Sequence, residues 1–132
     1  MMLAFGVVAA GLHARSGGTG QVVDCAMVDG AAILSAMTYT FLGNGQWRDE
    51  RGVNLLDSGT HFYDTYETSD GKWISLGSIE PQFYALLLEK TGLTGDPDFA
   101  QQMNPMKWDE LKERMTALVL TKTRDEWCAI MD

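Results

Sequence analysis

The sequence predicts an α+β fold, mostly helical with a short strand and one β-hairpin, and three observations carry that reading. Stretches rich in Ala, Leu, Met and Val recur between glycines with the composition and spacing of helices. One pair of aromatic and β-branched runs, His61 to Glu67 and Lys72 to Ser78, flanks Thr68-Ser69-Asp70-Gly71, a hairpin turn by composition. The 132 residues are 45% apolar, enough for one real core.

Met2 to Arg15 reads as a helix of Ala, Leu and Val that stops at Ser16-Gly17-Gly18-Thr19-Gly20. It is apolar on nearly every face and so expects burial on nearly every face. The run Met1 to Leu12 has no Lys or Arg ahead of it, unlike a secretion signal, and is far too short to span a membrane. Gln21 to Cys25 is a short β-like run. A lone strand cannot satisfy its own backbone, so it expects a sheet, yet the chain offers no obvious parallel neighbour. A helical stretch follows from about Ala26 to Phe41. Gly43 to Gly59 then reads as a loop of interleaved Gly, Asn, Asp and Arg around Trp47, of a length associated with function or an interface.

In the hairpin, Phe62, Asp64 and Tyr66 share one face and His61, Tyr63, Thr65 and Glu67 the other, so neither face is cleanly apolar. Pro81 opens a helix that carries Phe83, Leu86, Leu87 and Lys90 and stops at Gly92. Another helix runs from about Lys107 to Leu120. The last begins at Thr123, where Thr123-Arg124-Asp125-Glu126 has the pattern of a capping box. Only Glu126 to Asp132 follow, a length marginal for a helix by itself, so both termini read as cuts through a larger fold.

The net charge of −8, without any long run of Lys and Arg, argues against nucleic acid as a partner. It also means that a polyanionic ligand would find most of its cations elsewhere. Cys25 and Cys128 stand in no metal-ligand spacing with each other or with His13 and His61, so no metal is expected. Two isolated cysteines in an acidic chain suit a reducing, cytoplasmic setting.

Glu80 lies between Gly77-Ser78-Ile79 and Pro81, at a strand-to-helix turn where side chains often project into a site. Glutamate is not a preferred N-cap residue. Spacing alone leaves it open between a carboxylate that does chemistry and one that answers the helix dipole. Ser16 to Gly20 leads into a strand and lacks phosphate-loop spacing, so it reads as a turn. His61 has no Ser or Cys in an elbow-like turn, which removes support for a hydrolytic triad. The eight methionines, Met27 and Met37 among them, read first as core filler.

Several segments together resemble the family III CoA-transferases, and in particular their α-methylacyl-CoA racemase branch. They are Ala14-Arg15, Gly18 to Asp24, Arg51 to Gly59, Phe62 to Glu67 with Asp70-Gly71-Lys72, Ile79-Glu80-Pro81-Gln82-Phe83-Tyr84, and Thr121 to Trp127. The resemblance runs in order along essentially the whole chain, which then corresponds to an internal fragment of a longer enzyme. It implies that residues 1–45 are an apolar helix, strand and helix from the edge of a large domain, and that residues 46–132 are the hairpin and helices of a small domain.

Racemases of this branch invert the carbon beside a thioester carbonyl, using a His paired with a Glu, and an Asp, to exchange its proton. Glu80 matches the Glu. The resemblance places the His and Asp outside these residues, and neither His13 nor His61 matches the catalytic histidine. It further implies that Leu56, Tyr63, Ile79 and Pro81 border the acyl pocket with Met27 near it, and that coenzyme A enters as part of the substrate, with no separate cofactor. Two functions are expected from it: part of a racemase, inactive alone, or a non-catalytic acyl-CoA-binding or assembly module. Family members form interlocked dimers, so a homo-oligomer, with exchange of the first helix between chains, is also expected.

Overall fold

The computed structural model describes residues 1–132, which divide into two compact units, Met1–Gln46 and Trp47–Asp132. The chain is α+β, with six helices and a single two-stranded sheet.

The first unit holds α1 (Met2–Arg15), α2 (Met27–Leu34) and α3 (Ala36–Gly43). Three expectations are corrected here. Gln21 to Cys25 is not a strand: the only sheet lies in the second unit, and without a neighbour the segment has no ladder to join. The helical stretch after it is interrupted at Ser35, which ends α2 and begins α3 at φ −88°, ψ 7°. The burial expected of α1 is also not found, because three short helices in 46 residues cannot enclose a core. None of the residues in α1, α2 or α3 is buried, and Phe5 is 78% exposed.

The second unit begins with a loop organised by Asn54, which is 4% exposed. Its carboxamide accepts from the Arg48 N–H at 2.7 Å and donates to the Arg48 and Glu50 carbonyls and to Asp57. Asp57 in turn accepts from the backbone N–H groups of Gly52 and Asn54. This hub converts a long sequence loop into a packed turn.

Next come β1 (Tyr63–Glu67) and β2 (Trp73–Gly77), antiparallel, with Tyr63 opposite Gly77 and Glu67 opposite Trp73. Phe62 and Tyr66 are buried, Asp64 between them is half-buried, and Tyr63, Thr65 and Glu67 face outward. The faces are thus better divided than their composition suggests. Asp64 sits on the inner face because Lys112 meets it at 2.5 Å.

Helix α4 (Pro81–Thr91) starts with Pro81 in its first turn and ends at Gly92, whose left-handed φ of 77° is a conformation glycine adopts freely. Helices α5 (Trp108–Val119) and α6 (Arg124–Met131) complete the unit. The capping box before α6 is formed, with Glu126 returning to the Thr123 N–H at 2.8 Å. One core gathers Phe62 and Tyr66, Tyr84 and Leu87 of α4, Phe99, Leu111, Met115 and Val119 at one-turn intervals on α5, and Trp127 of α6. The buried Trp127 indole donates to the Val119 carbonyl at 2.8 Å. No helix of the chain is long and apolar enough to cross a membrane.

Candidate functional site

The most distinctive surface of the second unit lies where β2 gives way to α4. Ser78 donates its N–H to the Phe62 carbonyl and Ile79 to that of Gly77, each at 3.0 Å. Glu80 follows as the N-cap of α4 in an extended conformation, φ −71° and ψ 142°, and its carbonyl accepts the Tyr84 N–H at 2.9 Å. The Glu80 side chain is exposed and makes no capping hydrogen bond, so it projects from a turn whose backbone is tied on both sides. Pro81 fixes its own φ directly behind it.

The residues expected to border an acyl pocket are only partly brought together. Ile79, Glu80 and Pro81 are consecutive, and Tyr63 pairs with Gly77 two residues before Ile79. Ile79 is half-buried against the core, while Tyr63 and Pro81 are exposed. Leu56 is half-buried in the Asn54 loop. Met27, 90% exposed, belongs to the first unit, where it borders an apolar groove of about 530 Å³ with Met1, Met2, Leu3, Ile33 and Leu34 among its walls.

Two open cavities share the end of the hairpin. One, about 510 Å³, is lined by Ser58, Tyr63, Asp64, Thr65, Ser75, Leu76 and Gly77. The other, about 320 Å³, runs from Ser75 to Ser78 and on to Phe83, Leu86, Leu87, Lys90 and Met131. Burial pushes the Asp64 carboxyl up, but hydrogen bonds from Lys112 and the Thr65 N–H, with the Lys112 charge, outweigh it and hold it below the usual carboxylate range. Lys112 also donates to the carbonyl of Ser58, which holds a left-handed φ of 74°. A non-glycine residue keeps that conformation where its surroundings over-determine it.

Behind the turn lies a buried polar relay that the sequence did not reveal. Tyr84 has one hydroxyl proton and donates it to the Phe99 carbonyl at 2.8 Å. The same oxygen, 2.7 Å from His61 Nε2, must therefore accept from an Nε2–H. That fixes the neutral tautomer and leaves Nδ1 as an unpartnered acceptor. Burial alone lowers the His61 pKa to about 4. Burial, and secondarily the charge of Asp96, raises that of Tyr84. His61 is 0% exposed among Phe62, Tyr84 and Phe99, with ring centroids 5.1 to 5.6 Å away, so it meets no ligand.

Gln102 is a second such residue. Its carboxamide Nε2 donates to the Ser78 carbonyl at 3.1 Å and to the Ile79 carbonyl at 3.0 Å. Nothing in the surrounding sequence distinguishes it. The Asn54 hub, by contrast, left a local trace in the spacing of Asn54 and Asp57 within a loop bounded by glycines. No three His, Cys, Asp or Glu side chains converge as a metal-binding group.

A hairpin delivering an exposed carboxylate to a helix N-cap is the local architecture, and the class follows from the match along its full length. Residues 1–132 match CoA-transferase family III, and the chain belongs to that family. Within it, the chain is similar to α-methylacyl-CoA racemase of Mus musculus, 42% identical over all 132 residues, and of Homo sapiens, 40% identical. Each alignment covers 100% of this chain and 34% of the relative. A succinyl-CoA–D-citramalate CoA-transferase of Chloroflexus aurantiacus is 31% identical over 127 residues, 92% of this chain and 31% of its own length. The chain spans about a third of the length of these curated relatives.

Proposed function

We propose that the chain forms part of a racemase-like enzyme that moves the α-proton of 2-methylacyl-CoA thioesters from one face of the α-carbon to the other. The observation that supports this best is the 42% identity to a racemase across all 132 residues, against 31% to the CoA-transferase. In this reading the thioester acidifies the α-carbon, and a positioned acid and base exchange its proton. Glu80 orients the imidazole of the histidine base and balances its charge. That histidine is supplied by another segment, because His61 is enclosed in the core and donates to Tyr84. Leu56, Tyr63, Ile79 and Pro81 offer the acyl chain an apolar wall.

The test is exchange of the α-proton of a 2-methylacyl-CoA in deuterated water. The purified chain is expected to give none, and turnover by the chain alone would overturn the assignment of the base to another segment. A thermal shift with the same acyl-CoA reads binding separately. A second reading, a non-catalytic assembly module, draws on the first unit, where Phe5, Val8, Met27 and Leu34 are 71 to 90% exposed. Such surface favours self-association into a homo-oligomer. A chain that light scattering finds monomeric at micromolar concentration counts against it.

A further inference from the structure

We infer that Gln102 is the positioning residue of Glu80, an inference that rests on the racemase reading of that carboxylate. A carboxylate that must orient an imidazole has to be held to well under an ångström, and an exposed side chain at a helix cap has no such precision by itself. Glu80 has no capping bond of its own. Its backbone placement is therefore decided by the two residues before it and by the helix after it.

The helix side is secured by Pro81 and by the Tyr84 N–H on the Glu80 carbonyl. On the other side, the N–H groups of Ser78 and Ile79 are taken by Phe62 and Gly77, both close in the hairpin. Their carbonyls are both taken by Gln102 Nε2, from 24 and 23 residues further along the chain. One NH₂ group has two protons, so it can serve two successive carbonyls at once. The Gln102 backbone is itself held, because its main-chain carbonyl accepts the Trp108 indole N–H at 2.9 Å. The start of α5 is thereby linked through one side chain to the residue preceding Glu80. Neither Glu nor Ala can replace it: a carboxylate of the same size would set an acceptor oxygen, in place of the NH₂ group, against both carbonyls, and a methyl group would reach neither.

The experiment is NMR relaxation on the isotopically labelled chain, on Gln102→Glu and on Gln102→Ala. In the unchanged chain Glu80 is expected to be rigid, with a backbone order parameter of about 0.85, falling toward 0.6 in both variants. Leu111 and Trp127 are expected to keep their values. An unchanged Glu80 overturns the inference, and so does loosening spread evenly over the second unit, which marks a merely structural role. Should neither variant fold, exchange of the Gln102 side-chain NH₂ protons in the unchanged chain decides. Exchange slower than that of the exposed Gln82 supports the inference, and equal exchange overturns it. The racemase reading is tested separately, by α-proton exchange of a 2-methylacyl-CoA in deuterated water, where turnover by the chain alone would overturn the role given to Glu80 whatever the order of its backbone.

Discussion

His61 shows how much one residue's meaning depends on what surrounds it. By sequence it was an isolated histidine at the start of a strand; in the fold it is a buried donor to Tyr84, with Nδ1 bare. Its pKa falls from 6.5 to about 4 because burial penalises the cation. The folded chain therefore refuses a proton that the unfolded chain accepts. Stability is complete above pH 6.5 and declines as pH falls toward 4, by roughly 3 kcal/mol over the whole window. Asp57 and Asp64, held below the usual carboxylate range, contribute stability that is lost only at still lower pH. Urea unfolding at pH 7.5 and 4.5 should show the loss, and His61→Gln, which does not titrate, should remove most of it; an equal slope in the variant would contradict the assignment. Gly59 makes a second prediction at this scale. A Cβ there would lie 2.4 Å from the Val53 carbonyl carbon and 2.5 Å from Asn54 backbone atoms. Gly59→Ala should cost roughly 1–3 kcal/mol by denaturant unfolding, since backbone must move to admit it. Glu80 itself was legible as a cap residue of an unsuitable type, but not the atoms that hold it.

Among the elements, those with local signals are the ones legible in the sequence. Pro81 and Gly92 bracket α4, and the Thr123–Glu126 box opens α6. Each is a short-range device whose chemistry is written within four or five residues. Thr123→Ala should cost about 1 kcal/mol, measured as a shift in the denaturation midpoint with unchanged slope, because the cap bond to the Glu126 N–H is lost. A change of less than a few tenths would mean the box adds little to α6 beyond the packing of Trp127. The hairpin was legible from its turn and its β-branched runs, but its inner face was not. Asp64 looked misplaced between Phe62 and Tyr66 until Lys112, on α5, supplied its partner. Gln21 to Cys25 went the other way: its composition is β-like, yet with no neighbouring strand it stays outside any sheet.

Across the whole molecule the two units differ in how they are held. All the buried apolar residues belong to the second, Trp47–Asp132, whereas α1, α2 and α3 bury none. Helices of eight residues are marginal without packing. Amides of α1 to α3 should therefore exchange rapidly with deuterium, while those of the hairpin and α4 to α6 exchange close to the rate of global unfolding. Strong protection of α1 to α3 in a sample that light scattering shows to be monomeric would contradict this.

The sequence by itself determined the α+β class, the hairpin, the helix caps and the family, because these depend on short-range chemistry and on the order of residues along the chain. It also singled out Glu80 as a carboxylate at a strand-to-helix turn. Only the tertiary structure decided that His61 is core, that Asp64 is paired, that α1 is uncovered within this chain, and that Gln102 ties down the turn before Glu80. Those outcomes rest on contacts between residues some 20 to 50 positions apart. A hydrogen bond or ion pair of that kind leaves no periodicity in the sequence: it exists only once packing has brought donor and acceptor together and removed the water that would otherwise have satisfied them.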